Sequence, residues 1–522
     1  MADLKLVLFG ILLLFCSCEA YKILIIFPVP STSHGILGDN MVKHLLNAGH
    51  EVTYITPFIN KKKYDHPNLT IIDVSANEEH FDENLTNIQM IMEGKLDFKD
   101  PILMTQLAIM MASSTLGNPN IQKFLKDPNQ QFDVIIGEYM FSDMYSVFQA
   151  VFQCPLIWFS TIQPHWAILK MVHAPLNPSY NSDYIIGNVA PFTFNERVYE
   201  LWVQLKGLYY HKYINPGPEE KIYSELVAPI LKAQGKPVPN YEELKYNASL
   251  VLGNSQVVFG NPVPLPPNYQ HIGGYHIDED VKPLPEDLKK LMDNAKNGVI
   301  YFSLGSNVKS KDLPESMKEG LLELFGKLKQ TVIWKFEKNL DNTPKNVHIV
   351  QWAPQQSLLA HPNLALFISH GGLLSVTEAV YFGKPFIAIP VFADQFLNAN
   401  SFQKMGAAVK VDLTYNLHKD LEVALNKVLP ELPKYTARIK EISAAYHDSP
   451  MKPKDALNFW VEHVVRTRGA PHLRSVALLV PLYQQAYLDL LAVILAVTVV
   501  ILLVIRRILS LFTSESPKLK RN

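Results

Sequence analysis

Six short apolar runs in the second half of the chain, GVIYFSLGS, TVIWKFE, VHIVQWAP, LALFISHGG, PFIAIP and AAVKVD, alternate with helical patterns. Each is nearly continuous in hydrophobic residues rather than alternating, as expected of strands covered on both faces. The first half repeats the device: KILIIFPVP, then the amphipathic SHGILGDNMVKHLLNAGH closed by Gly49, then EVTYITP. That is strand, helix, strand, the unit that builds a parallel sheet. FDVIIGE (132–138) and PLIWFS (155–160) read as later strands of the same sheet. The expected fold class is α/β, with two doubly wound domains facing each other across a cleft and ligands at the carboxyl ends of the strands. Residues 58–130 and 161–245 are less regular; aromatic and Met-rich, they suit an adaptable binding wall.

The two ends set the expected topology. Residues 1–20 read as a signal peptide: Lys5 in the n-region, Leu6 to Phe15 as the apolar stretch, and Cys18-Glu19-Ala20 as the cleavage site. From Tyr487 to Ile505 only Asp489 is charged, barely enough apolar chain to span a bilayer. Arg506, Arg507, Lys518, Lys520 and Arg521 follow, which puts the tail in the cytosol and the body on the other side. Lys518 and Lys520 resemble a dilysine signal for retrieval to the endoplasmic reticulum. The sequons at Asn68, Asn84 and Asn247 fit a lumenal body.

Composition excludes several classes. A formal net charge of −1 argues against a nucleic-acid partner. With Cys16 and Cys18 in the leader, only Cys154 remains, so no disulfide framework and no Cys-rich zinc site is expected. Asp278-Glu279-Asp280 has the form of a metal-binding DxD, but it lies in a charged linker rather than after an apolar strand. No pair of carboxylates flanking one bond, as a glycosidase needs, is evident.

The densest polar cluster runs from Trp352 to Gln395. Trp352 and Gln355 end a strand, a flat aromatic face beside an amide, suited to a planar base. FISHGG (367–372) is a strand entering a Gly-containing turn that opens a helix, a ready anion site beside His370. Glu378 lies two turns down that helix, where it can accept from ribose hydroxyls, and Asp394-Gln395 follows the next strand.

The run from Trp352 through FISHGGLLSVTEAVYFGKPFIAIPVFADQ resembles the signature of the UDP-glycosyltransferase family of GT-B fold, and the HGGLLS wording is similar to arthropod-type members. The resemblance extends over nearly the whole chain. It implies that Trp352 and Gln355 hold uracil, Glu378 the ribose, Ser306, His370, Gly372 and Ser375 the diphosphate, and Asp394 with Gln395 the sugar. Lys335 falls where many relatives have Arg, and Leu374 where vertebrate relatives have Asn. In the other half it implies His34 as the base that deprotonates an acceptor hydroxyl, oriented by a carboxylate. The family places Asp at the end of the FDV strand, where this chain has Glu138; Asp143 is the fallback.

The family organisation then implies an N-terminal acceptor-binding domain at 21–275, a linker at 276–288 and a C-terminal UDP-sugar-binding domain at 289–450. Helices at 451–486 return to the N-terminal domain, before a membrane helix at 487–505 and a cytosolic tail at 506–522. The implied activity is inverting transfer of a hexosyl group, glucose before glucuronate, from UDP-sugar to a small lipophilic acceptor. It implies no metal or other cofactor, a type I anchor in the endoplasmic reticulum and a role in detoxification; homo-oligomerisation is left open. A membrane-anchored binding protein that has lost catalysis is the rival reading.

Overall fold

The computed structural model describes residues 20–59, 65–80, 87–96, 98, 100–172, 174, 176–260 and 262–513. The leader up to residue 19, Asn84, and Lys518, Lys520 and Arg521 of the tail lie outside them.

KILII forms β1 (Lys22–Ile26), and its four apolar side chains are buried because packing covers both faces of the strand. Beside it in the first sheet are β2 (Glu51–Thr56), β3 (Leu69–Asp73), β4 (Val134–Tyr139), β5 (Leu156–Ser160), β6 (Leu250–Gly253) and β7 (Tyr269–His271). All pair in parallel, in the order β3-β2-β1-β4-β5-β6-β7. The second sheet holds β8 (Val299–Ser303), β9 (Thr331–Lys335), β10 (Val347–Val350), β11 (Leu364–Ser369), β12 (Phe386–Ala388) and β13 (Ala408–Lys410), parallel in the order β10-β9-β8-β11-β12-β13. Both orders reverse direction once, between β1 and β4 and between β8 and β11. Those switch points are where a doubly wound sheet opens a crevice.

Helices α1 (Thr32–Asn47), α2 (Pro101–Gly117), α3 (Phe194–Tyr209), α4 (Leu373–Tyr381) and α5 (Gln395–Lys404) matter for the site. A further helix, α6 (Pro453–Arg466), starts with Pro at its first position, where no backbone donor is needed. Its buried Ala456, Leu457, Val461 and Val464 share one core with Ile23 and Ile25 of β1, so α6 covers a face of the first sheet. The expected linker differs at both ends. His276 and Ile277 are buried, and a helix already begins at Glu286, where two acids in the first turn suit the helix dipole. Between them Asp278 pairs with Lys43, and Glu279 with Lys452 and Lys454, so these two carboxylates of the DxD stretch are ion-paired to lysines.

The loop after β1 is fastened from below. Asn77 Nδ2 donates to the Pro28 carbonyl at 3.0 Å and to Thr115 Oγ1 of α2 at 2.8 Å, while its Oδ1 accepts from Ser114 at 3.0 Å. Asn77 is fully buried. Asn77→Ala is expected to cost about 2 kcal/mol, because buried partners lose their bonds without gaining water. A urea midpoint of the detergent-solubilised chain that does not fall would contradict this.

The chain divides into two compact units, Met1–Leu473 and Arg474–Asn522. Within the second, α7 (Leu488–Thr513) runs 26 residues. At 1.5 Å per residue it is about 39 Å long, more than the hydrocarbon core of a bilayer. It continues through Arg506 and Arg507, beyond the boundary expected at Ile505, because Arg is a good helix former and nothing breaks the turn there. Among the described residues it is the one helix long and apolar enough to cross a membrane.

Candidate active site

A cleft of about 780 Å³ runs along the carboxyl ends of the strands at both switch points. His34, Ser306, Lys335, Trp352, Gln355, His370, Gly372, Ser375, Glu378, Asp394 and Gln395 all line it. Glu138 stands behind His34, fully buried.

His34 lies in the first turn of α1. Ser31, at the N-cap, makes no side-chain cap; its hydroxyl instead donates across the cleft to Asn307 Oδ1 at 3.0 Å. His34 Nδ1 is hydrogen-bonded to Glu138 Oε1 near the end of β4. Since β1 and β4 are neighbours in register, the helix that follows β1 and the carboxyl end of β4 meet at the switch point. The carboxylate accepts a hydrogen bond from Nδ1–H, which leaves the Nε2 lone pair for the cleft. The second carboxylate oxygen, Oε2, has no hydrogen-bond partner. Asp143, the fallback, belongs to another cluster: it accepts from Tyr241 and lies 3.4 Å from His211. It is committed there by a buried network that includes Lys245 and Glu219 at 3.0 Å.

On the opposite wall, His370 follows β11 and Gly372 caps α4. The His370 ring is wedged between two glycines. A Cβ on Gly305 would stand 2.6 Å from its Cε1, and one on Gly372 2.4 Å from its Nε2. Gly305 also has φ +89°, a left-handed conformation that excludes most side chains. Burial, with Lys335 nearby, pushes the His370 ring down to about 4, so it is neutral at physiological pH. Lys335 donates to the Gly305 carbonyl at 2.8 Å and to Glu337 at 2.9 Å, and its ammonium lies 5.8 Å from the Trp352 ring. It therefore holds the turn against which His370 packs.

Gln355 donates to Ser375 Oγ at 3.0 Å and to Glu378 Oε2 at 2.5 Å. Burial pushes the Glu378 carboxyl up to about 7, against the opposing pull of the bonds from Gln355 and Gln356. Asp394 accepts from Asn398 at 2.8 Å, and burial pushes its carboxyl up to about 6; His34 is near enough to pull the other way. Gln395 turns its carbonyl inward, accepting from the backbone of Val391 and Phe392, so it fastens the strand-to-helix turn.

Several residues of this site escaped the sequence reading. Asn398 ties Asp394 to the Gly371 carbonyl, and its i+4 spacing from Asp394 on one helix face was the available signal. Gln356 bridges Glu378 to the His276 carbonyl. His276 itself is buried 3.7 Å from Glu378 with neither ring nitrogen hydrogen-bonded. Of the two sequons described, Asn68 is exposed at the start of an edge strand. Asn247 donates its amide to Gln149, and Ser249 is buried behind it.

Residues 22–520 match the family model described as "UDP-glucoronosyl and UDP-glucosyl transferase". The chain is 33% identical to UDP-glucosyltransferase 2 of Dactylopius coccus, covering 99% of each. It is 29% identical to UDP-glucuronosyltransferase 2B1 of Rattus norvegicus, covering 91% of this chain and 90% of that one. Among solved structures, the calicheamicin glycosyltransferase CalG4 superposes with a TM-score of 0.56 at 16% identity, covering 86% of this chain and 99% of that one, a likeness of fold. Two parallel α/β sheets bordering one cleft are the GT-B architecture, and the chain belongs to the UDP-glycosyltransferase family.

Proposed function

We propose that the protein transfers glucose from UDP-glucose to a hydroxyl of a small lipophilic acceptor, with inversion at the anomeric carbon. The hydrogen bond between His34 Nδ1 and Glu138 carries this reading. His34 Nε2 takes the acceptor proton as the acceptor oxygen bonds to the anomeric carbon, and the bond from that carbon to the UDP oxygen breaks. Glu138 stabilises the imidazolium. His370 and the N-terminus of α4 face the departing diphosphate, so the leaving group is stabilised without a metal ion. Trp352 and Gln355 take uracil and Glu378 the ribose; Ser306, Gly372 and Ser375 flank the phosphates, with Lys335 behind them. Asp394 faces the sugar, and Gln395, its carbonyl held by the backbone of Val391 and Phe392, has its amide left to offer.

Glucose is favoured over glucuronate because a second carboxylate beside the half-buried Asp394 would be repelled, and because a full-length relative is named a glucosyltransferase. The acceptor side is apolar: Phe98, Met104, Leu107, Met111 and Phe141 line it. Such a wall takes hydrophobic phenols or polycycles, consistent with a conjugating, detoxifying role. The same reading anchors the chain by α7 in the endoplasmic reticulum membrane with its body in the lumen, supported by Arg506 and Arg507 at one end of the apolar stretch.

Membranes carrying the full chain, incubated with UDP-glucose or UDP-glucuronate and a panel of phenols, test the reading by product mass. A hexose adduct formed at least tenfold faster than a glucuronate adduct is the expected result. Glucuronate adducts alone would reverse the donor assignment. No adduct with either donor, while UDP still binds, would favour the binding-protein reading.

A further inference from the structure

His165 lines the cleft, yet it is only 1% exposed and its Nδ1 has no hydrogen-bond partner. Aromatic rings enclose it: Tyr139 at 6.2 Å, Phe141 at 5.4 Å and Tyr184 at 5.0 Å between centroids. Phe141 adopts φ +58°, a left-handed conformation costly for an aromatic residue. The strain is held by stacking on Tyr184, 5.2 Å away at 18°. Tyr184 is fixed from both halves of the molecule. Glu200 accepts from the Asp183 backbone at 3.0 Å, and Asn400 of α5 donates to the Gly187 carbonyl at 2.7 Å. Tyr139, Phe141 and Tyr184 line the cleft together with His165, so a flat ligand entering there meets a rigid aromatic wall with one unsatisfied polar group to set its orientation.

We propose that His165 is a second anchor for the acceptor, exchanging a hydrogen bond with an oxygen of a flat, uncharged aromatic ligand away from its reacting hydroxyl. This rests on the glycosyl-transfer reading of the cleft and narrows its acceptor class to neutral aromatics with two oxygen functions. Burial pushes the imidazole down to about 3, so at neutral pH it offers one N–H and one lone pair. A carboxylate in its place would be buried there against a neutral ring, which disfavours acidic ligands.

The test compares a naphthol with naphthalene diols carrying one further hydroxyl on the distal ring, binding to the solubilised full chain by calorimetry. Turnover with UDP-glucose is followed in parallel. Wild type is expected to bind a diol about tenfold more tightly than the naphthol, the worth of one hydrogen bond. His165→Phe, which keeps a ring among its aromatic neighbours and removes the polar atoms, is expected to erase that preference while naphthol affinity stays unchanged. His165→Gln, which keeps a donor and an acceptor, is expected to restore part of it. A preference that survives in His165→Phe, or wild type that binds neither ligand, overturns the proposal. Because binding is read directly, absence of turnover with an intact diol preference would count against the transfer reading and leave the His165 anchor supported.

Discussion

His34→Ala is expected to lower kcat by about a thousandfold while UDP binding is unchanged. A positioned general base contributes roughly 10²–10⁴ in rate. Here the geometry leaves little redundancy, because Nδ1 is engaged by Glu138 and the Asp143 carboxylate is bound by Tyr241 and placed beside His211. Alanine also strips the buried Glu138 of its partner, which by itself can destabilise the fold. His34→Gln separates the two effects: its amide can still donate to Glu138 but cannot accept a proton at neutral pH. The same loss of kcat in His34→Gln, with an unshifted melting temperature, would assign the effect to the missing base. Glu138→Gln should also cost roughly 10³–10⁴ in kcat, since an amide neither fixes the ring's tautomer nor offsets the charge of the imidazolium. A His34→Ala enzyme that turns over at the wild-type rate would remove His34 from the mechanism.

Much of the frame was legible because buried parallel strands leave short unbroken apolar runs. KILIIFPVP, FDVIIGE, PLIWFS and the six runs of the second half each hold a strand that starts within two residues of the run, though several strands stop before the run does. The strands that did not announce themselves have specific reasons. β3 is an edge strand with only Ile72 buried, and β7 is three residues with two polar ones, so neither carries a continuous apolar signal; β6 is apolar and buried but only four residues long. The meeting of His34 and Glu138 follows from strand adjacency once the order is known, and the extra methylene of Glu lets the side chain reach the ring. By contrast, His276, His165 and Asn307 gain their positions from contacts more than a hundred residues apart or from packing around them, which no local spacing encodes. The inward turn of Gln395 was equally invisible, since a polar residue beside an acidic one reads as a ligand contact whether it faces the cleft or the backbone.

Gly372→Ala is expected to reduce kcat/KM by about a hundredfold without loss of fold. Gly372 has φ −62° and ψ 144°, a conformation any residue adopts, so alanine brings no backbone strain. Its Cβ, however, would stand 2.4 Å from His370 Nε2, and the ring cannot retreat, because the Gly305 backbone closes the other side. His370 must therefore swing out of its slot, and the diphosphate loses a positioned partner of the kind worth 10²–10³ in rate. Gly217 provides the control: a Cβ there meets nothing within 4 Å, so Gly217→Ala should leave activity unchanged. A double-mutant cycle then identifies the route of the effect. If Gly372→Ala acts by displacing His370, it should cost less than about threefold when introduced into His370→Ala, where the clash no longer exists. Losses that multiply in the double variant would contradict that route and point instead to Gly372 serving the ligand directly, through close approach of its own backbone.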